Sequence, residues 1–255
     1  MRKEEIGKYL VKLQLCEARD RSYKQIGPFN EIVKVGEKKE YNLLPAGFNS
    51  LELSTMNNDE IEDICDETGI KNSIYRSSAD IIINDCRFKL INVKLPSIPI
   101  VKNITRDKIE LLCSKVDADI LAIDKYIDKY WNLRENGSIG EEIENNSENS
   151  PFKGSKEHLS KLIEYFLFTG DEKGEYKLKA DKLLFFSKPL NPESWKIIDK
   201  EKAVDELWNR MKISLKHQGM PSKYPNNKDN QNNESIDIWS EYLNDRYVGA
   251  LNIRI

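Results

Sequence analysis

What this chain can fold into is limited most by the stretch from Ser77 to Lys94. Two predominantly apolar runs, Ile81-Ile82-Ile83 and Phe88 to Val93, flank a polar cluster from Asn84 to Arg87. Apolar, β-branched runs on either side of a short polar break predict a β-hairpin over residues 76–94. Side chains alternate faces along a strand, so the pattern puts Asn92 and Lys94 on one face. A tight turn centred near Cys86 brings Asp80 close to Asn92 on the neighbouring strand. The expected product is a carboxylate, an amide and an ammonium projecting together from a hairpin with an apolar backing.

That trio has a definite chemistry. A carboxylate on a rigid strand is a hard oxygen ligand suited to Mg²⁺. A lysine beside the ion can hold or polarise a water, and a metal-bound water gives up its proton near neutral pH. This is the chemistry of metal-assisted phosphodiester hydrolysis. Spacing alone is also met by a surface hairpin whose polar residues are solvated.

The stretch resembles the catalytic hairpin of the PD-(D/E)xK nuclease superfamily, in particular of type II restriction endonucleases. Asp80 stands at the family's first acidic position, and Asn92-Val93-Lys94 stands where the family has (D/E)-x-K. Asn92 replaces an acid, as Asn, Gln or Ser does in some restriction enzymes of this superfamily. A neutral amide can offer its oxygen to a metal but brings no charge, so a further carboxylate has to be looked for. The resemblance points to the first helix, where Glu17 is a candidate. The acidic segment Glu60, Glu62, Asp63, Asp66 and Glu67 is another source.

Composition sets the outer limits. With 255 residues, 39% hydrophobic and 33% charged, the chain is expected to form one globular domain spanning residues 1–255. No run approaches the ~18 apolar residues of a membrane span, and Met1 to Ile6 has no apolar signal core. A cytoplasmic protein with no membrane contact is expected. Cys16, Cys65, Cys86 and Cys113 are widely spaced, with only His158 and His217 to join them, which argues for reduced thiols and against structural zinc. A net charge of -3 argues mildly against a DNA-binding surface, but 40 Lys and Arg residues can cluster on one face.

Residues 3–24 predict a helix with Ile6, Tyr9, Leu10, Leu13 and Cys16 along its apolar stripe. A short strand is expected at Glu31–Val35 and a loop at Pro45-Ala46-Gly47. Asn57 to Thr68 predicts a helix capped by Asn58 or Asp59 and ended by Gly69. After the hairpin, Lys102, Asn103, Thr105 and Arg106 form a basic, polar group. It resembles a run in some restriction enzymes and suits phosphate clamping; equally, Thr105 or Asp107 can cap the helix that follows. Further helices are predicted over residues 118–135, 155–168 and 201–211, and residues 136–156 carry a polar loop. Leu183–Phe186, Lys212–Lys216 and Val248–Ile255 predict strands. The amide-rich segment holding Lys216, His217, Gln218, Lys223, Tyr224 and Asn226 is suited to reading base edges, or is an Asn-rich connector. It lies in residues 212–255, the candidate DNA-recognition region.

These elements predict an α/β (α+β) fold with a mixed central sheet flanked by helices, which the resemblance implies as well, in the form of the PD-(D/E)xK core. The resemblance implies a type II restriction endonuclease that hydrolyses phosphodiester bonds of double-stranded DNA with Mg²⁺. Asp80, Asn92 and the Val93 carbonyl would hold the ion. Lys94 would act on the attacking water. A homodimer and a cognate DNA methyltransferase are the partners it brings with it. The alternatives are a non-specific or repair-type nuclease of the same superfamily and a non-catalytic DNA-binding protein.

Overall fold

A computed structural model of the chain describes residues 3–36, 50–70, 79–95, 98–170, 179–218, 237–244 and 246–255. The chain packs as two compact units, each made of two separate segments. The first comprises residues 1–98 and 166–203, the second residues 99–165 and 204–255. The sequence reading treats residues 1–255 as a single domain.

The first unit begins with α1 (Lys3–Asp20). All five residues of its expected stripe are buried, and so is every residue from Val11 to Ala18, including Lys12, Gln14 and Glu17. The helix is therefore enclosed rather than amphipathic. It ends earlier than expected: Tyr23 N–H closes on the Ala18 carbonyl, and Ser22 takes a φ of 51°. Two short pairings follow, β1 (Gln25–Ile26) with β2 (Phe29–Asn30), and β3 (Val35–Gly36). Of the strand expected at Glu31–Val35 only Val35 is in a strand, and residues 31–34 are irregular. The Pro45-Ala46-Gly47 loop lies outside the described residues. Beyond α2 (Ser50–Leu53) comes α3 (Asn58–Thr68). Asn57 caps α3, one residue before the expected caps. Its side chain accepts from the N–H groups of Asp59 and Glu60 while Glu60 reaches back to the Asn57 N–H. Gly69, at a φ of 72°, ends it.

The hairpin forms from β4 (Ile81–Ile83) and β5 (Cys86–Asn92). Ile83 lies opposite Cys86, so the turn is Asn84-Asp85 and not centred on Cys86. Both turn residues are left-handed, with φ of 47° and 68°. That conformation matches the twist of the flanking strands, and Asn and Asp tolerate it best after glycine. Asn84 also fastens a neighbouring loop: Oδ1 accepts from the Val33 and Lys34 N–H groups, and Nδ2 donates to the Glu31 carbonyl.

The second unit opens with β6 (Pro99–Ile104), α4 (Arg106–Val116), α5 (Ile120–Glu135), β7 (Glu142–Glu144) and α6 (Lys156–Glu164). Strand β7 falls inside the segment expected to be loop. The chain then returns to the first unit for β8 (Lys182–Phe186) and β9 (Lys196–Asp199), passes through α7 (Lys200–Trp208), and completes the second unit with β10 (Lys212–His217), β11 (Glu241–Leu243) and β12 (Arg246–Arg254).

The first unit holds a five-stranded mixed sheet in the order β3-β4-β5-β8-β9. All its pairings are antiparallel except β5 with β8, which is parallel, with Leu90 beside Leu184 and Asn92 beside Phe186. One face, with Ile81, Ile83, Phe88, Leu90, Leu184 and Phe186, shares a core with α1 and α3. Ile82, Ile91, Leu183 and Phe185 are buried too, as expected for strands flanking a parallel pair. A full burial of one such side chain contributes about 1.5–3 kcal/mol. The second unit carries its own five-stranded sheet, β11-β12-β10-β7 with β6 also on β12, and every pairing in it is antiparallel. The protein is therefore mixed α/β, with a mixed sheet flanked by helices in its first unit. Among the described residues, no helix is long and apolar enough to cross a membrane.

Candidate active site

Asp80 sits just before β4, where the middle of the first unit's sheet begins. Its main chain starts the hairpin ladder by donating to the Phe88 carbonyl at 2.8 Å. Its side chain folds back on the neighbouring strand, where Oδ2 accepts the Leu90 N–H at 2.8 Å. The residue is only 8% exposed. A carboxylate buried to that degree needs a counter-charge. Lys8 of α1 supplies it, its Nζ lying 3.0 Å from Oδ1 and 3.1 Å from Oδ2.

The register differs from the expected one. A turn at Asn84-Asp85 sets Asp80 across from the middle of β5, not across from Asn92. Asp80 bonds to Leu90, and Asn92 lies two residues further along β5, roughly 7 Å away at the usual strand rise. Helix α1 passes over both. A Cβ placed on Gly7 would meet the Asn92 amide nitrogen at 3.3 Å and the Phe186 ring at 3.2 Å. Gly7 is therefore a point of close approach between the helix and the ends of β5 and β8, and Lys8 is the next residue.

Strand β5 ends at Asn92 instead of running on to Lys94. The Leu95 N–H returns to the Asn92 carbonyl at 3.2 Å, and the Lys94 N–H donates to Asn92 Oδ1 at 3.1 Å. Residues 92–95 are thus a turn pinned by the Asn92 side chain, a local bond that asparagine makes readily. Asn92 and Lys94 consequently do not share a strand face. The Val93 N–H is held by the Phe186 carbonyl at 2.9 Å. Lys94 is exposed, and among the described residues its ammonium has no bonded partner.

Glu17, the helix carboxylate considered for this site, is elsewhere. It is nine residues beyond Lys8 on α1, about 13 Å along the axis. It is buried and is engaged by Arg21 at 3.5 Å and the Tyr23 hydroxyl at 3.4 Å. Lys8 is the member of the cluster that periodicity did not single out. Gly7 was the readable trace, because a glycine inside an apolar helical pattern marks a close packing contact.

For a metal, the cluster offers the Asp80 carboxylate and the Asn92 amide oxygen, which also accepts the Lys94 N–H. Among the described residues, no group of three or more His, Cys, Asp or Glu side chains gathers at one point. One carboxylate with neutral oxygens suits a single Mg²⁺, an ion that keeps several of its waters. The fit requires that Lys8 leave the face of Asp80 it now covers.

The residues considered for DNA contact belong mostly to the second unit. Lys102 and His217 are exposed. Asn103, at a φ of 50°, pairs its side-chain oxygen with the Asn252 amide at 3.0 Å. Thr105 precedes α4 without a side-chain cap bond. Arg106 is not a free surface cation. Its guanidinium is bidentate to Asp124 at 3.0 and 2.8 Å and also meets Glu110 at 3.2 Å, which holds its pKa above the ordinary arginine value. Asp124 in turn accepts from the Trp239 indole at 2.6 Å, so Arg106 belongs to a packed network. Lys216 is paired with Glu141, whose carboxyl is held below its usual range by that bond. Gln218 is buried, its N–H tied to the Tyr247 carbonyl. Lys223, Tyr224 and Asn226 lie outside the described residues.

No protein-family model, curated protein or solved structure matches this chain.

Proposed function

We propose that the protein is a sequence-specific double-stranded DNA endonuclease of the PD-(D/E)xK kind, a type II restriction enzyme using Mg²⁺. One observation carries the reading. The buried Asp80 stands just before β4 and bonds to the middle strand β5 of a mixed sheet, and at the end of β5 Asn92-Val93-Lys94 leaves the strand under a helix. The sheet supports it: after α1, strands β3, β4 and β5 pair antiparallel in turn, and β8 is added parallel to β5.

In this reading each residue has a defined task. Asp80 is fixed by Leu90 N–H and so presents a carboxylate whose position does not depend on solvent. Asn92 spends its side-chain oxygen on the Lys94 N–H, and this holds the turn that carries Lys94. Lys94 brings a positive charge to the surface at the strand end, where it orients the attacking water and stabilises charge developing on the phosphate. Mg²⁺ held by Asp80, with Asn92 and Val93, would supply a water of lowered pKa and neutralise phosphate charge. A cytoplasmic location, a homodimer and a cognate methyltransferase complete the proposal.

The test is cleavage of plasmid DNA with Mg²⁺. Discrete fragments from the wild type are expected. Asp80→Ala and Lys94→Ala should each lose nearly all cleavage while duplex binding persists. Cutting by either variant at the wild-type rate overturns the assignment, and smearing in place of fragments favours a non-specific or repair-type nuclease. A second reading, a non-catalytic duplex-binding protein, is favoured by the Lys8 ammonium on both oxygens of Asp80 beside a neutral Asn92. Binding without cleavage in wild type and Lys94→Ala alike would support it.

A further inference from the structure

Lys8 stands where a metal ion would approach. A carboxylate offers about four lone-pair positions. At Asp80 the Leu90 N–H uses one on Oδ2, and the Lys8 ammonium faces both oxygens at 3.0 and 3.1 Å. The position between the two oxygens is thus filled by a cation that belongs to the chain. A divalent ion would have to bind Asp80 at roughly 2.1 Å, beside an ammonium of the same sign. The pair is only 18% and 8% exposed, so their attraction and any repulsion between Lys8 and an incoming ion are less screened than at the surface.

The geometry points to Lys8 as a built-in competitor for the cation position at Asp80: it holds the carboxylate in the resting protein and gives it up when a divalent ion and a phosphodiester arrive together. This deepens the nuclease reading and rests on it. The exchange needs no movement of α1, because the lysine stem is flexible and its charge sits at the tip. A phosphate oxygen gives the displaced ammonium a new partner, so the cost of unpairing Lys8 falls when DNA is present. Ion and DNA therefore bind cooperatively, and by linkage each raises the affinity for the other.

Mn²⁺ titration of the full-length protein followed by electron paramagnetic resonance tests this without reference to turnover. Four proteins are compared, wild type, Lys8→Met, Lys8→Arg and Asp80→Asn, each with and without a short DNA duplex. Without DNA, Lys8→Met should bind Mn²⁺ at least about tenfold more tightly than wild type. Lys8→Arg, which keeps a bidentate pair, should bind more weakly than wild type. Asp80→Asn should lose the site. Adding duplex should raise wild-type affinity at least about tenfold and Lys8→Met affinity much less. Should Lys8→Met fail to fold, the Lys8→Arg and duplex results decide. Equal Mn²⁺ affinity in wild type and the Lys8 variants, with Asp80→Asn still losing the site, makes Lys8 a structural partner only and leaves the nuclease reading intact. No Mn²⁺ binding in any protein, with or without duplex, overturns both.

Discussion

Many single residues in this protein are held by partners far away in sequence, and charge pairing shows the consequence most directly. Arg87 and Asp181 join the starts of β5 and β8 through two guanidinium bonds of 2.9 and 2.5 Å and a backbone bond of 2.9 Å. The Arg87 side-chain bonds hold the Asp181 carboxyl below the usual carboxylate range, against a smaller opposing effect of burial. A carboxyl depressed in the folded state stabilises the fold above its unfolded pKa, and that contribution is lost as pH falls through the folded value. Asp181→Asn should therefore destabilise the protein near neutral pH, with the difference from wild type closing in acid. Both side chains are over a third exposed, so the effect should be about 1 kcal/mol or less and shrink with salt. Urea unfolding at a series of pH values measures it, and a difference that persists below the carboxylate range would count against the pairing. Distance in sequence also decides what could be read beforehand. Asp80 and Asn92 were legible because both lie beside one local hairpin. Lys8 was not, since its bond to Asp80 spans most of the first unit's leading segment and leaves no mark in strand periodicity.

Elements were legible where a face or a break is written locally. Gly69 and Gly137 both end helices at positive φ, and the buried positions of α3 and α5 follow the 3.6-residue repeat. The hairpin was legible as a hairpin but not in its register, because four consecutive polar residues allow several two-residue turns. The left-handed tolerance of Asn84 and Asp85 selects one of them. The end of β5 was missed for a different reason: alternation continues through Lys94, and the Asn92 side-chain bond that stops the strand carries no periodicity. The packing of α1 on the sheet makes its own prediction. Gly7→Val adds a Cβ that already falls within 3.3 Å of Phe186 and Asn92, and then two methyl groups beyond it. Overpacking of this kind costs about 1–3 kcal/mol. A lower thermal midpoint is expected and, on the nuclease reading, weaker Mn²⁺ binding through displacement of Asn92. A variant as stable as wild type would mean that α1 rides higher over the strand ends than the Gly7 contacts imply.

At the scale of the whole molecule the chain alternates between its two units, and this was not legible at all. Both units draw on an early and a late segment, and no composition shift marks the crossings at residues 98, 165 and 203. The parallel pair β5–β8 is the clearest case, since residues 93–181 intervene between two adjacent strands. A fragment ending at residue 165 lacks β8 and β9 and leaves one edge of β5 without its partner. Such a fragment should show no cooperative melting by circular dichroism and should be cut rapidly by protease. Melting at the full-length midpoint would contradict this.

The same discontinuity has a bearing on synthesis. Phe186, which lies beside Asn92 and under Gly7, is encoded well after Asp80 and Lys8. A nascent chain on the ribosome must therefore add about a hundred residues after Asp80 before the strand that completes its surroundings is made. On the nuclease reading, a polypeptide that stops before β8 should not cut DNA.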